Sequence, residues 1–284
     1  MFRCGRRLWT LSMFVFAAVS RTMGQTDPGL RSLADRYWDA SMERNPTAAT
    51  DLGDYRFNDR LFDLTEDARL RWNQTLRGFL KEVQALPAVE LTPADRLTRG
   101  LFERTLQDGL FEFAAQHRQY LPLDPLDGPQ IKFPLLLVSQ PFRNAEDFRA
   151  YISRLRSFPK QVDDLMANLR KGVSLGITAP RVITQKVLPQ IRTHIVDDPT
   201  MGEFYKPLQI ADAIPSAEHD AIAKSLTEAI RDSVVPSYRK LLTFVEYEYL
   251  PTCRDTVGIG AVPNGEKIYA ELAYLNATVR VEPQ

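Results

Sequence analysis

Residues 144–169 read NAEDFRAYISRLRSFPKQVDDLMANL, and this stretch sets the expectation for the whole fold. Its large apolar residues recur at steps of three and four, which places them on one face of an α-helix. Asn144 stands where a helix cap is expected, and Glu146 and Asp147 follow in the first turn, where negative charge is favourable. Because proline removes a donor from a helix interior, Pro159 is expected to kink this helix or split it in two. The predicted buried face consists of Phe148, Tyr151, Ile152, Leu155, Val162, Leu165, Met166 and Leu169.

The same periodicity covers most of the chain and predicts an all-α protein whose long helices are joined by proline-rich connections. The other helices are expected over 30–44, over 65–86, from Thr92 past Phe113, over 180–196, from Ser216 towards Pro236, and over 238–249. The strand signal is weak everywhere. A short β-hairpin is expected only near 257–262.

A different pattern occupies residues 121–142, which contain five prolines and a glycine but no helical stripe. Connections of this length are uncommon in compact domains unless they have a role, such as lining a cleft. The alternative is an extended segment that packs over the helices, because the stretch is also rich in large apolar residues. Either way, a subdivision of the chain is predicted near 121–142.

The N-terminus has the layout of a secretory signal peptide, with three arginines before an apolar run from Leu8 to Val19 and a polar exit. The run is shorter than the 20 or so apolar residues that span a bilayer, so cleavage between Ser20 and Gln25 is expected and an uncleaved anchor is the alternative. The predicted organisation is therefore a signal peptide over 1–25 and a helical portion over 26–284. This interpretation makes the protein exported, periplasmic or secreted, without a stable membrane span after cleavage.

Charge and cysteine content exclude several classes of protein. The chain has 36 basic and 36 acidic residues, and the predicted signal peptide takes four arginines and no acids with it. The mature part then has a mild negative charge, which argues against a nucleic-acid partner. Cys253 is the only cysteine outside the predicted signal peptide, so no internal disulfide is expected, and a buried, unreactive thiol is favoured over a reactive one.

No catalytic or metal-binding motif stands out among the residues. The three histidines are His117, His194 and His219, and none lies in an H-E-x-x-H sequence or shows metal-ligand spacing. His194 has no recognisable partner in the sequence. Adjacent acids such as Asp163 and Asp164 point about 100° apart on a helix, so they cannot form a close pair of carboxylates. We therefore assign no catalytic residue and no metal ligand, and expect no cofactor in this chain.

Several stretches in series do resemble a known family. They are RYWDASMERNPTAATDLGDYRFNDRLFD (36–63), LRKGVSLGITAPRVI (169–183), VVPSYRKLLTFVEYEYLPTCRDTVGIGAVPNGEKIY (234–269) and YLNAT (274–278). Together they resemble the bacterial "domain of unknown function 885" family, whose members are mostly exported or lipid-anchored. The resemblance implies a mostly helical zinc metallopeptidase-like protein, similar in outline to the carboxypeptidase Taq and oligopeptidase groups.

In that family the metal motif is H-E-x-x-P-G-H-H, followed by an E-G-W-A helix, and zinc is expected for a complete member. Neither motif occurs in these 284 residues. The resemblance therefore implies the N-terminal, cleft-forming half of such a protein, inactive alone, with a missing C-terminal half as partner and a peptide as substrate. It implies that Gly172, Gly176, Asn264, Gly265 and Tyr269 line the substrate cleft. The alternative is a non-catalytic exported protein that binds a peptide or a partner.

Overall fold

A computed structural model describes residues 27–87, 91–115, 117–210 and 214–277. Within these ranges the chain is helical and contains no strand, which confirms the all-α prediction. No helix there combines the length and the apolar character needed to cross a membrane. The predicted signal peptide, residues 1–25, lies outside the described residues.

Eight α-helices of ten residues or more make up the described fold, and they are labelled here in chain order. They are α1 (Pro28–Arg44), α2 (Glu66–Ala85), α3 (Pro93–Ala115), α4 (Ala145–Ser174), α5 (Arg181–Arg192), α6 (Ser216–Ala229), α7 (Val235–Phe244) and α8 (Gly265–Ala277). One-turn helices and 3-10 turns fill most connections. The chain divides into two compact units, which are described separately below.

The first unit contains α1, α2 and α3, from residues 27–44 and 66–115. Its core is organised around Tyr37, whose ring lies 5.1 Å from that of Phe102 and 5.5 Å from that of Phe79. Helix α3 is less buried than its apolar pattern suggests, because Leu97 and Leu101 are 64% and 40% exposed. The remaining core positions are Leu30, Leu33, Leu76, Val83 and Leu106.

The second unit contains α4 to α8 together with residues 45–65. Helix α4 is its centre, and the whole predicted apolar face of α4 is buried. Residues 121–142 form two one-turn helices, Pro129–Lys132 and Leu136–Ser139, rather than an extended segment. Their apolar side chains enter the same core as α4, since Phe133 stacks on Phe158 with 3.8 Å between ring centroids.

Of the two outcomes expected at Pro159, a kink or a split, the split does not occur, because α4 is one helix of 30 residues with the proline inside it. An internal proline costs about 3 kcal/mol through its missing N–H and its clash with the preceding turn. Here the apolar stripe continues on both sides of the proline, and the neighbouring Phe158 is fully buried. Burial of that continuous stripe offsets the cost, so the helix runs through.

A second proline is also absorbed without a break. Instead of ending near Pro236, the helical path continues from α6 through a π-helical turn, Ile230–Val234, into α7. The wider π turn replaces the i→i+4 ladder just where proline cannot donate to it. A further π-helical turn, Val245–Tyr249, follows α7.

The short β-hairpin expected near 257–262 is also wrong. Residues Ile259–Ala261 form a 3-10 turn, with Val262 N donating to Ile259 O at 3.1 Å. Within 257–262 only Val262 is buried, so the stretch has no row of alternating buried side chains that a strand could use. Its glycines favour a compact turn over an extended pair.

The start of α4 follows the capping prediction. Asn144 Oδ1 accepts a hydrogen bond from Asp147 N at 2.9 Å, and Asp147 in turn accepts from Arg143 N and Nε at 2.9 and 2.8 Å. The side-chain hydrogen bond from Arg143 is the main reason why the pKa of Asp147 lies below its usual value.

We expect Asp147→Asn to remove a stabilising interaction that depends on pH. A depressed folded-state pKa means that the stabilisation is present above the unfolded value, about 3.9, and is lost as pH falls through the folded value. The variant should therefore lose about 1 kcal/mol at pH 6 and show a weaker loss of stability between pH 5 and pH 2. Urea midpoints across this range measure both effects. If the variant lost as much stability between pH 5 and pH 2 as the wild type does, the attribution of this pH dependence to Asp147 would be contradicted.

Candidate functional site

The loop after α4 and the turn before α8 lie side by side, although some 90 residues separate them in the sequence. A Cβ built on Gly176 would lie 3.8 Å from Cγ of Pro263. This contact brings the Gly172–Pro180 loop next to the Pro263-Asn264-Gly265 turn. We call the two segments together the loop–turn site.

The loop is shaped by two glycines with different roles. Gly176 has φ +71°, a left-handed conformation that favours glycine. Gly172 is buried, and its carbonyl accepts hydrogen bonds from Leu175 N at 3.0 Å and Ile177 N at 2.8 Å. A Cβ on Gly172 would lie 2.9 Å from Cβ of Tyr120, so only glycine fits at this position in the last turn of α4.

The turn is equally constrained. Asn264 has φ +58°, which asparagine tolerates better than most residues. A Cβ on Gly265 would lie 1.9 Å from Ile259 O, so the backbone approaches itself too closely for any side chain. Ile268 N donates to Asn264 O at 3.0 Å and starts α8. The turn therefore fixes the direction in which α8 leaves.

Two arginines attach the loop to the chain between Tyr249 and Gly258. Arg254 Nε donates to Thr178 O at 2.9 Å, and its Nη1 donates to Gly258 O at 2.7 Å. Arg181 Nη1 and Nη2 donate to Leu250 O and to Cys253 O at 2.8 and 3.0 Å. All four of these acceptors are backbone carbonyls, so the arginines act as rigid cross-links between loops.

The backbone and a buried phenol complete this attachment. Arg181 N donates to Arg254 O at 2.7 Å, and Arg254 N donates to Ala179 O at 3.2 Å, which makes an isolated parallel bridge. Tyr249 Oη accepts from Ala179 N at 3.0 Å. Burial raises the pKa of Tyr249 to about 12, so the phenol stays neutral and serves as a hydrogen-bonding support.

Cys253 lies within this support and is buried, as the sequence favoured. Its Sγ is 3.2 Å from Thr184 Oγ1. Burial raises the pKa of the Cys253 thiol, so little of the nucleophilic thiolate is present near neutral pH. The residue is part of the packing and has no chemical role that this geometry supports.

The five residues predicted to line a cleft separate into two groups. Gly172 and Gly265 are buried, so they shape the backbone without presenting a surface. Gly176 and Asn264 are exposed, and Tyr269, one turn into α8, is 51% exposed. The same region of the sequence also exposes Leu175 and Val257. The arginines and Tyr249 were not predicted, because a lone arginine near a glycine-rich loop has no distinctive sequence signal.

A separate feature is a shallow, open depression of about 380 Å³ beside α4 and α7. Arg170, Arg239, Lys240, Phe244 and Glu248 contribute to its lining, and it contains none of the predicted site residues. Each of its three cations faces a carboxylate, in the pairs Arg170–Glu248, Lys240–Asp163 and Arg239–Asp197. The charges are compensated, so this depression does not define a binding site.

Of the three histidines, His194 and His219 have side chains that the structure describes, whereas the His117 side chain lies outside the described part. In the described part of the chain, no three side chains of the His, Cys, Asp and Glu types come together as a metal site. His219 is a half-buried neighbour of Asp220. His194, which has no recognisable partner in the sequence, lies with Nε2 2.8 Å from Gln130 O and stacks on Tyr238 with 4.6 Å between ring centroids.

Comparison with known proteins places this fold and its loop–turn site in a family. The family described as "Bacterial protein of unknown function (DUF885)" matches residues 46–284, and the chain belongs to that family. Among solved structures, the crystal structure of a "putative lipoprotein" from Colwellia psychrerythraea is similar, with a TM-score of 0.74 at 15% identity. The match covers 89% of this chain and 47% of that one, so this chain spans about half of its length. No curated protein matches this chain.

Proposed function

We propose that this chain forms a wall of the substrate cleft in an exported zinc-metallopeptidase-like protein, with a peptide as the substrate. The observation that carries the proposal is the loop–turn site, where Gly176 lies beside Pro263 and two arginines attach the loop to the stretch that leads into the turn. Such a junction is stiff, and stiffness lowers the entropy lost when a flexible peptide is held. Membership of the family supports the proposal.

Zinc does not fit the residues described here. A catalytic zinc site uses three protein ligands of the histidine and carboxylate types, and no such group exists in the described ranges. The proposal therefore assigns the zinc ligands to a further segment. That segment would correspond to the part of the Colwellia chain that this chain does not span.

Export is part of the proposal. The basic and then apolar layout of residues 1–25 supports it, and so does the likeness to a protein named as a lipoprotein. The proposed compartment is the periplasm or the exterior. The lone buried cysteine, which needs no disulfide partner, is compatible with either.

We expect Tyr269→Ala to weaken peptide binding, because Tyr269 is the half-exposed aromatic residue on the helix that the turn directs. With a dye-labelled, alanine-rich decapeptide and fluorescence anisotropy, the Kd should rise roughly five-fold, about 1 kcal/mol. The matched control is Tyr247→Ala, since Tyr247 is a still more exposed tyrosine in the π-helical turn after α7. Equal effects of the two substitutions would contradict the placement of the cleft.

A second candidate is a non-catalytic exported protein that binds a peptide or a protein partner. The absence of a metal-ligand group among the described residues favours this second function for the chain when it acts alone. Zinc analysis of the chain isolated from its source separates the candidates. Copurification with a zinc-bearing segment and chelator-sensitive peptidase activity supports the first, and a metal-free binding protein supports the second. Stoichiometric zinc and cleavage by the 284-residue chain by itself would contradict both.

A further inference from the structure

Asn264 and Gly265 form the sole Asn-Gly pair in the sequence, and they lie where the turn passes into α8. In such a pair the backbone nitrogen of the glycine can attack the side-chain amide of the asparagine, because glycine has no side chain to obstruct the approach. Asn264 is exposed, whereas Gly265 is buried. The carbon that would be attacked is therefore open to water, and the attacking nitrogen is held inside the turn.

The reaction open to this pair needs only water as a co-reactant. Gly265 N loses its proton and bonds to Asn264 Cγ, the bond between Cγ and Nδ2 breaks, and ammonia leaves with that proton. The product is a cyclic imide, a succinimide, which water then opens. Attack of water at Cγ gives aspartate, whereas attack at the main-chain carbonyl carbon of Asn264 gives isoaspartate, in which the backbone runs through the former side chain.

The closed turn prevents the first step of this reaction. Gly265 N donates to Val262 O at 2.8 Å, so the proton that must leave is held by a carbonyl. Val262 is itself buried, and Pro263 limits the backbone freedom of the turn. The nitrogen cannot swing towards the side chain of Asn264 either, since a carbon added to Gly265 would already lie 1.9 Å from Ile259 O. The reaction therefore requires the turn to open.

The isoaspartate product does not fit the closed turn. Its main chain is longer by one methylene group, and the former carbonyl of Asn264 becomes a carboxylate outside the main chain. In the closed turn that carbonyl accepts from Ile268 N at 3.0 Å and starts α8. The close approach of Gly265 to Ile259 O leaves no room for a longer backbone. A turn that has opened and reacted cannot close again in its original form.

We propose that Asn264 is a modification site gated by the turn, which is converted to isoaspartate only when the turn opens and which then holds the start of α8 open. Hydrogen exchange of the Gly265 amide needs release of the same N–H from Val262 O. Exchange of that amide and modification of Asn264 therefore share one opening of the turn. This inference does not rest on the proposed peptidase-like function.

Ageing of the full chain at pH 8, followed by mass spectrometry of the fragment that carries Asn264, tests the gate. The folded chain should lose ammonia at least about ten-fold more slowly than a synthetic peptide of residues 259–270. That ratio should agree, within a factor of about three, with the protection of the Gly265 amide against hydrogen exchange measured by NMR. A folded chain that reacts as fast as the peptide, or a larger disagreement between the two ratios, would overturn the proposal.

Pro263→Gly should speed the reaction, because it loosens the turn without altering the reacting pair. With each chain compared to a peptide of its own sequence, this variant should react about three-fold faster than the wild type. Pro199→Gly is the matched control, since Pro199 begins a 3-10 turn in another connection, and it should keep the wild-type rate. No acceleration by Pro263→Gly, or an equal one by both substitutions, would contradict the gate.

The effect of the modification on α8 is measured on the aged fraction that contains isoaspartate, identified by electron-transfer fragmentation. Asn264→Asp is its matched control, because it carries the same added charge on a normal backbone. Negative charge near a helix N-terminus is favourable, so the α8 amides of Asn264→Asp should keep their wild-type protection. In the isoaspartate chain they should exchange roughly ten-fold faster. Equal protection of α8 in these two chains would overturn the proposal.

Discussion

Replacement of Arg154 by methionine is expected to lower the free energy of unfolding by about 4 kcal/mol, the largest effect predicted for this protein. Arg154 is fully buried on α4, and its guanidinium donates to five acceptors. Three of them are the backbone carbonyls of Pro46, Phe57 and Arg60, at 3.0, 3.1 and 2.9 Å. The other two are Thr50 Oγ1 at 2.7 Å and Gln140 Oε1 at 2.5 Å.

The effect is large because five hydrogen bonds are lost at once, although Pro46 O and Phe57 O each keep one other donor, Thr50 Oγ1 and Arg60 N. Methionine fills a similar volume, so the loss reports hydrogen bonding rather than a cavity. Burial lowers the pKa of Arg154 to about 10, which still leaves the guanidinium charged at neutral pH. No carboxylate is among its direct acceptors, but the charges of nearby Asp59 and Asp51 oppose the lowering of its pKa by burial.

Urea denaturation of Arg154→Met measures this effect, and Arg156→Met is the matched control. Arg156 lies two residues further along α4 and is exposed, so its substitution should change stability by less than about 0.5 kcal/mol. Limited proteolysis should also cut Arg154→Met preferentially within 46–60. Equal stability of the two variants would show that the guanidinium does not hold that segment.

Gly265→Ala is expected to cost about 3 kcal/mol, the second-largest effect. Its Cβ would lie 1.9 Å from Ile259 O and 2.7 Å from Cα of Gly260. Both obstacles are backbone atoms, which cannot rotate away as a flexible side chain could. The turn must therefore shift, and the start of α8 shifts with it.

Two other glycines give graded controls in the same thermal or urea experiment. Gly176→Ala should cost about 1 kcal/mol, because its φ of +71° is unfavourable for alanine but no atom obstructs the Cβ within 3.8 Å. Gly100→Ala, in the open interior of α3, should stabilise the protein by about 0.5 to 1 kcal/mol. A cost at Gly265 no larger than that at Gly176 would contradict the close approach.

The helices could be predicted from the sequence because their apolar stripes are regular and a cap such as Asn144 is explicit. The prolines were misread for a physical reason. Local propensity disfavours a helix through Pro159, but burial of Phe158 and its neighbours outweighs that preference. The hairpin near 257–262 failed because a few apolar residues between glycines do not specify a partner strand.

The two segments of the loop–turn site were singled out only through the resemblance to a family, and their role in a cleft stays a prediction. Nothing in local sequence brings Gly176 to Pro263, since this approach depends on how α4 and the later segments pack. The role of Arg154 was likewise not predictable from local sequence. An arginine in the stripe of α4 resembles an ordinary surface residue until the folded chain surrounds it with carbonyls.

The hydrogen bonds of Arg154 also bear on the order of events at the ribosome. Four of them join Arg154 to acceptors within residues 46–60, which lie 94 to 108 positions earlier in the chain. Those acceptors are synthesised well before their donor, so the early segment has no permanent partner while translation continues. Its docking must wait until α4 has emerged, which makes this contact a late and long-range step of folding. A nascent chain stalled before residue 154 would therefore carry 46–60 in a protease-sensitive state.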